Sequence, residues 1–263
     1  MQVTVLMSVY NEKDTIEQAI KSIVDQTYTE WSMLIIDDFS ADGTYELSVR
    51  MAARDERIEV FRNKSNLGLA ASLNLGIHKI NSDFIARMDG DDISMPSRLT
   101  KQVSFLLANP DIDVVGTGAE LLGENDSLQN IILLPEAHAD LEKCILSNSV
   151  FFHPSVMMRK SFLIETGGYN EKLLRAQDLD LWMNGLKNGA RYHNIQEALI
   201  RYRTGNYQRS LKTITSQFRT RIYLSFKYGF YLSGNIYAFI DFVKNIFIML
   251  GLYIPRSLRN GSS

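Results

Sequence analysis

The stretch DFIARMDGDDISMPSRL (residues 83–99) ends an apolar run in three carboxylates within four positions: Asp89, Asp91 and Asp92, grouped around Gly90. Like charges this close raise one another's pKa unless something positive sits among them. Carboxylates at a strand end suit a hard cation, Mg2+ or Mn2+, which keeps part of its shell for phosphate oxygens. Such an ion offsets the negative charge that grows on a departing diphosphate. Gly90 permits a close backbone approach between the first two acids. A second reading makes the cluster a solvated turn, with Asp92 capping the helix that opens near Pro96.

Other chemistry-bearing residues are also clustered. Ser8, Tyr10 and Asn11 lie in SVYNE, and Asp37 and Asp38 in IIDDFSADGT. In AQDLDLW, Asp178 and Asp180 are two apart on a predicted helix, so they point to opposite sides and only one can face a site. Acids in a helix's first turn are also favoured by the dipole, whatever their chemistry.

The elements that must hold these residues alternate through the first half. QVTVLMSV, WSMLIIDD, IEVFR and DFIARMD read as strands. EKDTIEQAIKSIVDQ, DGTYELSVRMAAR, LAASLNLGIHKI and PSRLTKQVSFLLANP read as helices, with Ile16, Ile20, Ile23 and Val24 at helical spacing in the first. Repeated strand–helix–strand units predict an α/β fold, a mostly parallel sheet with helices on both faces. Ligands in such sheets bind beyond the carboxyl ends of the strands, where all three acidic and polar clusters of the first half fall. Past Pro110 the pattern loosens. DVVGTGAELL and NIILL predict antiparallel strands, ADLEKCILS a helix, PSVMM a strand, and AQDLDLWMNGLKNG a helix closed by Gly189. The expected division is 1–110, 111–209 and a helical extension over 210–263, without a linker rich in Pro, Gly or Ser.

A net charge of −2 over 263 residues hides an asymmetry. From Arg201 onward there are ten Lys and Arg against one acid, Asp241. A basic end on an acidic body predicts an anionic partner such as lipid headgroups, nucleic acid or another subunit. Residues 236–254 (IYAFIDFVKNIFIMLGLYI) are almost wholly apolar, with Asp241, Lys244 and Asn245 on one helical face. That narrow polar stripe predicts a helix lying in a membrane interface, not a spanning one. Packing within protein or a homodimer is the rival reading. Nucleic-acid binding fits the charge but no recognised module accompanies it, so none is expected. The single cysteine, Cys144, predicts a reducing compartment, and MQVTVLMSVYNE lacks a basic n-region and cleavage site, so no secretory signal is expected. The expected location is cytoplasmic, peripheral on the inner face of the cell membrane.

Several enzyme classes fit poorly. There is no G-x-x-x-x-G-K-[ST], and no G-x-G-x-x-G after the first strand. An aspartate phosphatase would want a Thr where Ile93 stands, and YNEKDT is not the glycine-rich triphosphate loop of a nucleotidyltransferase.

SVYNE (8–12), IIDDFSADGT (35–44), NLGLAASLNLGI (66–77), ARMDGDDISMPSRL (86–99) and AQDLDLW (176–182), in that order, resemble the family 2 glycosyltransferases. The resemblance covers roughly residues 1–205. It implies the GT-A fold, with a nucleotide-sugar-binding half and an acceptor-binding, catalytic half. It also implies an inverting, metal-dependent transfer from a nucleoside diphosphate sugar to an acceptor hydroxyl, as in bacterial polysaccharide or lipid-linked glycan synthesis. By that resemblance Asp91 is the direct metal ligand, and Asp89 reaches the ribose or the ion. Asp38 accepts from the base, for which an N–H of uracil is suitable, so a UDP-sugar is favoured. Tyr10 packs on the base or is simply a half-buried aromatic; Ser8 adds a contact, and Asn66, Gly68 and Ala71 lie in the segment that closes over the nucleotide.

Asp178 matches the family's general base, although Gln177 stands where a Glu is usual. Inversion in one displacement needs such a base within hydrogen-bond reach of the nucleophile. Trp182, one turn on, is expected to line the acceptor pocket. His153 in FFHPS matches a position beside the active site and reads either as a contact to acceptor or phosphate or as a structural histidine. Arg201 and Arg203 fall where the family shows an R-x-H loop over the diphosphate. Gly205 replaces the His, so Arg203 and Arg209 stand in as phosphate contacts. The competing function is a non-catalytic module on the same fold that recruits a partner or membrane through the acidic cleft or basic tail.

Overall fold

Strand β1 (Val3–Val9) is buried at every position because it lies inside the sheet with helices over both faces. Alternation sends Val3, Val5, Met7 and Val9 into one hydrophobic cluster and Leu6 into the other. Helix α1 (Ile16–Val24) buries Ile16, Ala19, Ile20 and Ile23, one helical face, against the first of these. The chain then runs β2 (Trp31–Asp37), α2 (Thr44–Ala52), β3 (Ile58–Arg62), α3 (Leu69–Lys79) and β4 (Phe84–Met88). The computed structural model describes residues 2–145, 149–204, 211–229, 239, 240 and 243.

Strands β3, β2, β1 and β4 pair in that order, all parallel. This half matches the periodicity of the sequence. Beyond it come β5 (Ile93–Ser94), α4 (Arg98–Ala108), β6 (Val114–Leu122), β7 (Leu128–Ile132) and α5 (His138–Cys144). They are followed by β8 (Met157–Arg159), α6 (Lys160–Thr166), α7 (Gln177–Lys187), β9 (Tyr192–Arg203) and α8 (Leu211–Tyr228). Strand β8 pairs antiparallel with β4 and β6, so both halves share one sheet. The β6–β7 pair is antiparallel as expected, whereas β9 runs parallel to β6.

Three elements, β5, α6 and β9, were not legible in the sequence. Strand β9 takes up Arg201 and Arg203, which the resemblance assigned to a loop. Strand β5 is only two residues long and exists because Ile93 and Ser94 pair with Arg201 and Ile200 of β9. The acidic turn 89–92 is thereby anchored at both ends, by β4 in the parallel sheet and by β5 on the far strand. Asp92 belongs to that turn and does not cap α4, whose N-cap is Ser97. Helix α8 packs Leu224 and Tyr228 into the cluster shared with α7. Among the described residues no helix is long and apolar enough to cross a membrane. Most of 236–254, Gly205 and Arg209 lie outside the described residues.

Candidate active site

A cleft of about 310 Å³ opens at the carboxyl ends of β1, β2 and β4, lined by Ser8, Val9, Tyr10, Glu12, Asp38, Leu69, Arg87, Asp89 and Asp91. Five of these were expected from the sequence: Ser8, Tyr10, Asp38, Asp89 and Asp91. Glu12 and Arg87 were not. Tyr10 is half exposed at the rim.

Arg87 is a positive charge among the acids. It is buried in β4 and donates from Nη1 to Asp89 Oδ2 at 2.5 Å, with Nη2 on the other oxygen. Asp89 is therefore bound by a two-pronged ion pair, the strong form of this contact. Arg98, wholly buried, donates to the Arg87 carbonyl at 2.7 Å, and burial together with Arg87 pushes its pKa down to about 9. Alternation in β4 could have pointed to Arg87, since Ala86 and Met88 face the opposite cluster; only the fold pairs it with Asp89.

One cation does not balance the site. Ligand oxygens of Asp89, Asp91 and Asp92 lie within 4.8 Å of one another. Asp92 is fully buried; one oxygen accepts the Arg203 N–H at 2.9 Å and the other has no hydrogen-bond partner among the described residues. Burial first, then Asp89 and Asp91, hold its pKa well above the carboxylate range. Burial, then Asp89, raises Asp91. Glu12 is pushed up to about 9 by burial and then by Asp89 and Asp91, and its Oε2 is likewise buried without a partner. Such orphaned acceptors cost free energy unless a proton or a cation reaches them. Crowded, hard oxygen donors fit Mg2+ or Mn2+. Gly90 is required here, because a Cβ would run into Glu12 and come within 2.7 Å of Val9 Cγ1.

Asp38 is buried and organises the loop before α3. Its Oδ1 accepts from Asn63 Nδ2 and the Leu67 N–H, and its Oδ2 from the Gly68 N–H, each at 2.8 Å. A carboxylate has about four acceptor positions, so one on Oδ2 stays available to a ligand. The buried partner is Asn63; Asn66 is exposed and does not line the cleft.

Asp178 sits in the first turn of α7, after Ala176, whose φ of 57° is left-handed. That conformation is strained for a residue with a Cβ, and Gln177 follows it directly. Burial raises the Asp178 pKa, opposed in part by the Leu179 amide, by the charge of Arg87, by its own amide and by the charge of Arg221. Arg87 is thus close enough to act on both the acidic turn and Asp178. Asp180 faces the other way, as its spacing required, and accepts from Lys227 Nζ at 2.8 Å and the Tyr228 hydroxyl at 3.0 Å.

The expectations for Trp182 and Arg203 need correction, and His153 takes the second of its two readings. Trp182 is 2% exposed and packs against Phe151, Phe162 and Tyr192, so it is core and not the wall of an open pocket. His153 Nε2 and the Tyr169 hydroxyl share a hydrogen bond of 2.7 Å; burial keeps His153 neutral and Tyr169 protonated. That pairing makes His153 a structural partner beneath the site. The Arg203 guanidinium, expected to be a phosphate contact, is engaged with protein acceptors: Asp126, Gln18 and the Asp91 carbonyl.

The fold is of the GT-A type. The profile of glycosyl transferase family 2 matches residues 4–167, and the chain belongs to that family. EpsE of Bacillus subtilis (strain 168), described as a glycosyltransferase, is 38% identical over 206 residues, covering 77% of this chain and 73% of its own. A UDP-Gal:alpha-D-GlcNAc-diphosphoundecaprenol beta-1,3-galactosyltransferase of Escherichia coli is 27% identical over 263 residues, 97% of this chain and 93% of that one. Among solved structures, the mannosyltransferase PcManGT from Pyrobaculum calidifontis, in complex with GDP-Man and Mn2+, superposes with a TM-score of 0.66 at 18% identity. It covers 97% of this chain and 76% of the other. The chain is a glycosyltransferase with the GT-A fold.

Proposed function

We propose that this enzyme moves a sugar from a nucleoside diphosphate sugar, a UDP-sugar by preference, to an acceptor hydroxyl with inversion, assisted by Mn2+ or Mg2+. The observation that carries this reading is the orphaned, buried Asp92 oxygen next to the Asp91 carboxylate, which lines the same cleft as Asp38 and Arg87; Arg87 also acts on Asp178. The UDP-Gal named for the Escherichia coli relative and the GDP-Man of the mannosyltransferase complex support a nucleotide-sugar donor, and the Mn2+ of that complex supports a divalent ion.

Asp91 and Asp92 would hold the ion, with Asp89 reaching the ribose while Arg87 grips it. When bound, the ion supplies positive charge to the leaving diphosphate. Asp38 takes an N–H of the base on its remaining Oδ2 position, Tyr10 lies against the ring, and Ser8 and the Gly68 segment complete the nucleotide pocket. The Asp178 carboxylate accepts the proton of the acceptor hydroxyl as that oxygen bonds to the anomeric carbon. The bond from that carbon to the diphosphate breaks on the opposite face, and the electron pair leaves with the diphosphate. Residues 1–110 serve the donor and 111–209 the acceptor. A lipid-linked glycan acceptor at the inner face of the cell membrane, met through the basic C-terminal residues, accords with the charge of that end.

Asp178→Asn tests the assignment. Transfer should fall by about a thousand-fold, in the range of a lost general base, while Kd for UDP with Mn2+ stays within two-fold. Undiminished transfer by the variant overturns the role of Asp178.

A further inference from the structure

Arg203 gathers segments that are far apart in sequence. Its Nε and Nη2 grip the Asp126 carboxylate at 2.7 and 2.9 Å. Nη2 also donates to Gln18 Oε1 at 2.6 Å, and Nη1 to the carbonyl of Asp91. Its main-chain N–H takes one Asp92 oxygen at 2.9 Å. Four of the five guanidinium donors are thereby used on protein, the side chain is 15% exposed, and its charge is offset by Asp126. Asp126 and Asn125 both have left-handed φ, 57° and 56°, in the turn joining β6 to β7. Asn and Asp are the side chains that tolerate this conformation best, and it brings the Asp126 carboxylate to Arg203.

The consequence falls on the acidic turn. Arg203 occupies the Asp91 carbonyl and one Asp92 oxygen but not the Asp91 carboxylate, and the buried Asp92 Oδ2 has no hydrogen-bond partner among the described residues. We infer that Arg203 is a positioning residue for the divalent ion: it holds the backbone of the acidic turn so that these oxygens converge, and it does not touch the diphosphate. This rests on the metal reading proposed above. Partners of this kind typically govern metal affinity by 10–100-fold.

The sign of one substitution separates positioning from simple electrostatics. Arg203→Met removes a positive charge near a cation site, so Coulomb forces alone predict tighter Mn2+ binding. Loss of positioning predicts weaker binding. Mn2+ titration of the full chain by calorimetry, with thermal melts as a fold control, should show Kd rising by about ten-fold or more for Arg203→Met. Arg203→Lys, which keeps the charge without the planar fork, and Asp126→Asn, at a half-exposed position, should weaken Mn2+ in the same direction. These two carry the test if the Met variant fails to fold. UDP titrated without metal should bind all of them like wild type. Mn2+ affinity equal to or tighter than wild type in the folded Arg203 variants overturns the inference. So does a loss of metal-free UDP binding on Arg203 substitution that Asp126→Asn does not share, because that pattern marks a direct diphosphate contact. A wild-type chain without affinity for Mn2+ overturns the metal reading and this inference together.

Discussion

The Arg87 guanidinium pairs with Asp89 and draws Glu12, Asp91 and Asp178 toward their ionised forms, against the burial that raises all three. Glu12 shows what remains uncompensated. Its folded pKa is about 9 against a usual 4.5, so between those values the folded chain holds a proton that the unfolded chain releases. By linkage this group's contribution to stability is complete below pH 4.5 and is lost as pH rises to about 9. Glu12→Gln mimics the protonated form at every pH. With metal chelated, the variant should melt with wild type near pH 4.5 and several degrees above it at pH 9. Equal melting temperatures at pH 9 would mean that Glu12 is ionised without strain. Neither Glu12 nor Arg87 was singled out in the sequence, because one sits among the charges of NEKD and the other inside an apolar strand. Their importance comes from burial beside other acids, which no local pattern encodes.

Helices α7 and α8 are joined through a buried charge. Asp180, on the face of α7 opposite Asp178, accepts from Lys227 and Tyr228 of α8, and Leu224 packs beside them. Lys227→Met would remove one of the two α8 donors on the buried Asp180 and leave the Tyr228 hydroxyl. The expected cost is about 1–3 kcal/mol, the penalty of an under-satisfied buried acceptor, with faster amide exchange across α8. Unchanged exchange would mean that the helix is held by its apolar contacts only. The spacing of Asp178 and Asp180 was enough to say that one acid alone could face a site. Which one required α8, since nothing near Asp180 in sequence supplies its donors. Strands β5 and β9 show the same limit: β5 is too short to carry a pattern and is defined by its partner.

Across the whole molecule, an acidic catalytic body meets a basic, aromatic end. Helix α8 contains Lys212, Arg219, Arg221 and Lys227 and no acid. Arg219, Tyr223 and Phe226, spaced four and three apart, are exposed on its outer side, while Leu224 and Ser225 are buried. A basic face carrying aromatics suits an anionic lipid surface. Tyr223→Ser combined with Phe226→Ser should reduce co-sedimentation with phosphatidylglycerol vesicles several-fold, and salt should reduce it for wild type. Equal sedimentation of both proteins would remove α8 from any membrane contact.

The alternation of strands and helices over the first 110 residues, and the carboxylates at the strand ends, could be read from the chain alone, because periodicity and run length are local properties. The opposition of Asp178 and Asp180 followed from helical spacing in the same way. Only the tertiary structure decided which oxygens are free: Arg87 takes Asp89, Asn63 takes Asp38, and Arg203 reaches Asp92 from 111 positions away. Trp182 and His153 went to the interior for the same reason. A hydrogen-bonding group's availability depends on what packs against it, and those neighbours are set by the closure of the sheet, not by adjacent residues.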